Sequence, residues 1–373
     1  MASKFLTLTI ALSFVLLMIT NISAQDNKRY PNHEDIISPA EFDPVDKLII
    51  SWPKLTEKIT YLKHYAEQIE YYIDLVENTE SIINITINFN NKFQERFAKT
   101  LLLKNNIPLT NLTFSQTKTN TIWVRDYGPF FIYEEEELKI VDLHFKGYTL
   151  KLDLKDEFYP TIYGLKNNIE PYIFTNFLVG IQGGNYMSDG NKTGFVADRV
   201  FRHDNPRLSE QEVIERMKEL LGLNDLIVLK SQVIRIKKGG DGNGHLDMFA
   251  KIINENTILV GQYNDTDDAN YQILEDNANQ LETLGYNVVR IPMLRNPDNN
   301  RIWTYTNSLI INNKHKKAVI IPSYNYSTDQ EAISIYQQLM PDYQIKTVYS
   351  RDIINLNGAI HCTTLTVPIQ NLN

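Results

Sequence analysis

Only one cysteine, Cys362, occurs in the 373 residues, so no disulfide can form within the chain and its stability must come from an apolar core. After the N-terminal stretch there is no apolar run of eighteen or more residues, which excludes a membrane-spanning helix there. Basic charge is short as well: 37 Lys and Arg against 45 Asp and Glu leave a formal net charge of -8, the wrong sign for a nucleic-acid partner. No Pro-, Ser- or Gly-rich linker and no direct repeat divides the sequence, so a single domain is expected. The 43% hydrophobic content is enough to give that domain a core.

What is present begins with Lys4, an apolar stretch from Phe5 to Ile19 and a small residue, Ala24. This is the layout of a secretory signal cleaved after Ala24, leaving residues 25–373 as an exported domain with no membrane attachment, the alternative being a retained N-terminal anchor. Asn-x-Ser/Thr sequons stand at Asn84, Asn111, Asn191, Asn264 and Asn325.

β-branched and aromatic runs alternate with windows of helical period, the pattern of an α/β protein. Strands are expected at Lys47–Ser51, Ser81–Phe89, Lys139–Phe145, Thr257–Gly261, Asn287–Ile291, Tyr305–Ile311 and Ala318–Ile321. Helices are expected at Thr56–Glu77, Lys92–Lys104, Ser209–Leu221, Asp268–Leu284 and Asp329–Met340. Ser209 and Glu212 have the spacing of a capping box, and Gly222 follows the last turn. The acidic run Glu134–Glu137 reads as the solvated tip of a hairpin.

Five clusters carry polar residues that a plain connecting loop does not need: 123–129 (Trp-Val-Arg-Asp-Tyr-Gly-Pro), 183–190 (Gly-Gly-Asn-Tyr-Met-Ser-Asp-Gly), 239–247 (ending Gly-His-Leu-Asp), 305–308 (Tyr-Thr-Asn-Ser) and 357–364, which holds Cys362. If the Gly-rich stretch leads into extended chain, His245 and Asp247 project to one face. One His with scattered carboxylates lacks the clustering of a zinc site, so neither metal nor cofactor is expected. A Cys with a His is the minimum for nucleophilic catalysis. Papain-like and caspase-like signatures are absent around Cys362. Acyl transfer from a neutral amide gains little from the two anions Asp126 and Asp247, whereas a planar guanidinium is held well by paired carboxylates.

In these five stretches, in order, the sequence resembles the Porphyromonas-type peptidylarginine deiminase family, which includes the agmatine deiminases. The resemblance implies a five-bladed α/β propeller of pseudo-fivefold symmetry in one domain. It implies Cys362 as nucleophile, His245 as acid and base, Asp126 and Asp247 as guanidinium-holding carboxylates, and Trp123, Arg125, Asn185 and Asn307 on the substrate side. The implied partner is a peptidyl or small-molecule guanidine. Members that take a C-terminal peptidyl-arginine place paired arginines shortly after the Arg-Asp-Tyr motif. Residues 145–153 have none, only Lys146 and Lys151. The related amidinotransferases share the covalent chemistry, and a secreted guanidine-binding protein without turnover is the non-enzymatic alternative.

Overall fold

The computed structural model describes residues 35–54, 62–147, 154–173, 179–233 and 243–371. The signal stretch 1–24, the start of the expected Thr56–Glu77 helix as far as Tyr61, residues 239–242 and Lys151 lie outside the described residues.

One arrangement, an antiparallel hairpin followed by a helix and a strand parallel to the hairpin's second strand, recurs through the chain. The first unit contains β1 (Pro44–Ser51), α1 (Leu62–Thr79) and β2 (Asn84–Asn88), extended by α2 (Lys92–Lys104) and β3 (Leu112–Ser115). The second is β4 (Phe130–Glu134), β5 (Glu137–Asp142), α3 (Tyr159–Asn167) and β6 (Pro171–Ile173). The third is β7 (Tyr186–Ser188), β8 (Thr193–Ala197), α4 (Glu210–Leu221) and β9 (Asp225–Leu229). The fourth is β10 (Ala250–Asn254), β11 (Thr257–Gln262), α5 (Tyr271–Thr283) and β12 (Asn287–Arg295). The fifth is β13 (Leu309–Asn313), β14 (Lys317–Ser323), α6 (Asp329–Leu339) and β15 (Gln344–Tyr349). In units two to five the hairpin pairs antiparallel and the third strand parallel.

The first unit is completed by the far end of the chain. The last strand, β16 (Thr364–Pro368), lies antiparallel on β1 with Thr364 opposite Ile50, and β2 lies parallel on the other side of β1. Five ββαβ units closed end to end agree with the five-bladed expectation. Each helix covers its sheet through an apolar stripe: in α4, Val213, Met217, Leu220 and Leu221 are buried. Burying each such side chain contributes about 1.5–3 kcal/mol.

The Ser209–Glu212 capping box forms in both directions, and Gly222 caps the end of α4 in the left-handed region at φ 66°. The acidic run is a hairpin tip, with Glu135 and Glu136 at φ 49° and 69° between β4 and β5. All five expected helices form, but they do not fall one to a unit. Lys92–Lys104 is an additional crossover between β2 and β3, and the helix of the second unit is α3, a nine-residue segment with no sequence signal. Its Tyr-Pro-Thr-Ile-Tyr-Gly start is poor in helix formers, so packing rather than propensity holds it.

Candidate active site

Each of the five clusters occupies the same place in its unit, the turn that leads into the first hairpin strand. Asp126 lies in the helical turn Val124–Tyr127 just before β4, and Asn185 ends a 3-10 turn directly before β7. Asp247 lies in the 3-10 turn Leu246–Met248 before β10, Asn307 in the bend before β13, and Cys362 in the turn before β16. Closing the units end to end therefore carries residues far apart in sequence to a common centre.

The expected extended segment at His245 and Asp247 does not form. His245 is extended (φ -74°, ψ 151°), but the chain turns into the 3-10 helix immediately after it. The two side chains converge through that turn rather than through strand alternation.

At the centre, Cys362, His245, Asp126, Asp247 and Asn307 are 1%, 0%, 3%, 0% and 0% exposed. The Cys362 thiol lies 3.2 Å from Asn307 Nδ2 and 3.4 Å from Asp247 Oδ2. The Asn307 amide oxygen accepts from Ala359 N at 3.1 Å and Cys362 N at 3.4 Å, which fixes the turn carrying the thiol. His245 Nδ1 lies 3.5 Å from Asp126 Oδ1. A Cβ added to Gly184 would meet Asp126 Oδ1 at 2.7 Å, His245 Nδ1 at 2.8 Å and Asp247 Oδ2 at 2.9 Å. Those three atoms therefore face one small space that only glycine leaves empty. A Cβ on Gly358 would likewise strike Trp123 at 2.6 Å and the Cys362 sulfur at 3.0 Å, placing the half-buried Trp123 ring beside the thiol.

Two polar atoms here have no hydrogen-bond partner among the described residues. His245 Nδ1 and Asp247 Oδ1 are fully buried and unbonded. On the far side of the ring, His245 Nε2 is 2.7 Å from Gln182 Oε1, an oxygen that also accepts from Arg199 Nη1. Nε2 therefore carries the proton, and Nδ1 offers its lone pair to the site. Burial, then Arg199 and His361, push His245 well toward its neutral form. Burial, then Asp247 and Asp126, push the Cys362 thiol well up. The resting centre thus holds a protonated thiol, a neutral imidazole and orphaned acceptors.

Arg125 and Asn185 both tether backbone around the site. Arg125 Nε donates to the carbonyls of Thr364 (3.0 Å) and His361 (3.4 Å), tying its turn to the Cys362 turn. Asn185 exchanges hydrogen bonds with Ala197 in both directions and accepts from Leu246 N at 3.1 Å, so its amide tethers backbone. Lys146 Nζ donates to the His203 carbonyl at 2.7 Å.

Sequence reasoning missed Gln182 beside His245, and it missed His361, Glu41 and Lys251, which follow Asp247 Oδ2 in a chain of contacts of 2.7–2.8 Å. His361 adjoins Cys362 within a cluster already singled out, so proximity was its one signal. Glu41 lies in a stretch with no motif.

The family model for Porphyromonas-type peptidyl-arginine deiminase matches residues 37–368. The chain is 24% identical over 295 residues to an agmatine deiminase of Pseudomonas aeruginosa, spanning 69% of this chain and 77% of that one. It is likewise 24% identical over 303 residues to an agmatine deiminase of Pseudomonas syringae, spanning 72% and 80%. Among solved structures, a substrate-bound cysteine-to-serine form of C. jejuni agmatine deiminase superposes with a TM-score of 0.77 at 22% identity, covering 90% of this chain and 97% of that one. An Enterococcus faecalis agmatine deiminase superposes with a TM-score of 0.74 at 19% identity, covering 90% and 96%. The chain belongs to the Porphyromonas-type peptidyl-arginine deiminase family, hydrolases that act on the carbon–nitrogen bonds of amidines.

Proposed function

We propose that the chain hydrolyses the guanidinium of a small free guanidine of the agmatine class, releasing ammonia and leaving a ureido product. The observation that carries this is the pair of orphaned buried acceptors, His245 Nδ1 and Asp247 Oδ1, beside a second carboxylate and a thiol. Buried acceptors without donors cost about 1–3 kcal/mol each, and a charged one costs more. A guanidinium brings a positive charge and several N–H donors in one plane, which satisfies both acceptors and balances the carboxylates.

The bound cation also supplies what the thiol lacks, an opposite charge that favours thiolate. The Cys362 thiolate adds to the central guanidinium carbon. Nδ1 of His245, loaded with the thiol proton, gives that proton to the departing nitrogen, and ammonia leaves a Cys362 thiouronium. Water then loses a proton to Nδ1 and attacks the same carbon. The carbon–sulfur bond breaks, the thiol regains one of water's two protons, the other leaves to solvent where it converts the released ammonia to ammonium, and the ureido product departs.

Agmatine-type substrates are favoured because the matched curated relatives are agmatine deiminases, and because residues 145–153 hold no arginine to clasp a peptide carboxylate. A colorimetric ureido assay of purified protein, thiol reduced, against agmatine, free arginine, and peptides with internal or C-terminal arginine decides the matter. Turnover of agmatine above the others is expected, and no turnover of any of the four would overturn the reading in favour of a silent binder. Ammonia release with water as sole acceptor distinguishes hydrolysis from obligatory amidino transfer. We also place the protein outside the cytoplasm on the strength of its N-terminal stretch. Exported protein should begin at Gln25 by N-terminal sequencing, and exclusively cell-retained protein beginning at Met1 would count against it.

A further inference from the structure

From Asp247 Oδ2, the carboxylate oxygen that also faces the Cys362 sulfur, runs a file of alternating charges. Asp247 Oδ2 is 2.8 Å from His361 Nδ1. His361 Nε2 is 2.7 Å from Glu41 Oε2, and Glu41 Oε1 is 2.7 Å from Lys251 Nζ. His361, Asp247 and Lys251 are buried, and Glu41 is nearly so. We propose that His361 is a positioning residue, present as an imidazolium, that holds the Asp247 carboxylate and offsets its charge toward the Cys362 sulfur. The inference rests on the deiminase reading for its purpose, but not for its test.

The protonation state follows from counting donors. Both ring nitrogens face carboxylate oxygens at hydrogen-bond distance, and an imidazole has two N–H groups only as a cation. Although burial pushes Glu41 up, Lys251 and His361 hold its carboxyl well below the usual range, so it stays an anion that requires the second ring proton. The formal charges of Asp247, His361, Glu41 and Lys251 run -1, +1, -1 and +1, summing to zero. Without the ring, Asp247 would set an uncompensated charge 3.4 Å from the sulfur. Arg125, whose Nε meets the His361 carbonyl at 3.4 Å, is the other fixed charge against this turn, and Asp126 the remaining one across the site.

The file also fixes position. His361 N donates to the Asn307 carbonyl at 3.1 Å, and Lys251 Nζ donates to the Ser308 carbonyl at 2.7 Å. Glu41 Oε1 additionally accepts from Ile310 N at 2.8 Å. The turns of Asp247, Asn307 and Cys362 and the loop of Glu41 thus meet at one residue, His361, through its ring and its backbone N–H. With Oδ2 held on the ring, Oδ1 of Asp247 keeps no hydrogen-bond partner among the described residues.

Because Cys362 is the only cysteine, alkylation by iodoacetamide across pH reads that thiol alone. In H361Q the alkylation midpoint should move upward by about one pH unit or more, since a cation has left the neighbourhood of a carboxylate. E41Q, which lets the ring fall to one proton, should move it the same way, and the double variant no further than H361Q. With agmatine, H361Q should lower kcat more than it raises KM. An H361Q midpoint equal to wild type, with thermal unfolding unchanged, would reduce the residue to packing and overturn the proposal. If neither variant folds, 15N spectra of the wild-type histidines at pH 8.5 decide: one ring still doubly protonated is expected, and seven neutral rings would overturn it. Neither the alkylation midpoint nor the histidine spectra use substrate, so failure there is separate from failure of the ureido assay.

Discussion

At the scale of single residues the site is defined by what it leaves unsatisfied. Removing the sulfur in Cys362→Ala should abolish turnover while the thermal midpoint stays near wild type, because one small buried group replaces another. His245→Gln should lower kcat by about 10²–10⁴-fold, the range for loss of a proton-transferring group. The thiol, pushed well up by burial and by Asp247 and Asp126, is protonated in the free protein at neutral pH. Its alkylation should therefore rise as pH rises, and a bound guanidinium should move the midpoint down by favouring thiolate. An unmoved midpoint would remove the substrate-assisted step. Gly184→Ala should be as damaging to turnover as a charge change, since its methyl group would fall within 2.7–2.9 Å of three site atoms.

Residue identity was the most legible level of the sequence. Cys362, His245, Asp126, Asp247 and Asn307 were all singled out from motif and chemistry, and the fold gathers them in one place. Glu41 and Lys251 could not have been found that way. Nothing in Ala40-Glu41-Phe42 differs from an ordinary exposed turn until His361 and Lys251 are seen across it, some 320 and 210 positions away.

At the scale of elements, local chemistry was readable where it is local. The α4 cap needs only Ser209, Glu212 and Gly222, and all three behave as their spacing requires. Ser209→Ala should cost about 1 kcal/mol, measured by denaturant unfolding. Where tertiary contacts decide, the reading failed. α3 exists because Tyr159, Tyr163 and Gly164 are buried against the second sheet, not because its residues favour helix. The hairpin tip carries a correctable strain, since Glu135 and Glu136 both sit in the left-handed region that costs a side-chain-bearing residue about 1–2 kcal/mol. Replacing the pair with Asn-Gly should raise stability by about 1–2 kcal/mol and leave turnover untouched. A lower unfolding midpoint would show that their side chains compensate.

At the scale of the molecule, five similar units closed into one body explain how dispersed motifs become a site. The closure itself, β16 against β1, joins residues more than three hundred positions apart. Deleting residues 364–373 should therefore unfold the first unit and release Arg125 from the Thr364 carbonyl, seen as loss of cooperative unfolding rather than as a small shift.

That closure has a consequence in time. Pairing β16 with β1 brings together residues more than three hundred positions apart, a contact whose loop-closure cost makes it slow to form. Until it forms, the turn of Cys362 has no seat and Asp247 has no thiol beside it. In refolding, helix and strand content should therefore return first, and recovered turnover should lag behind it.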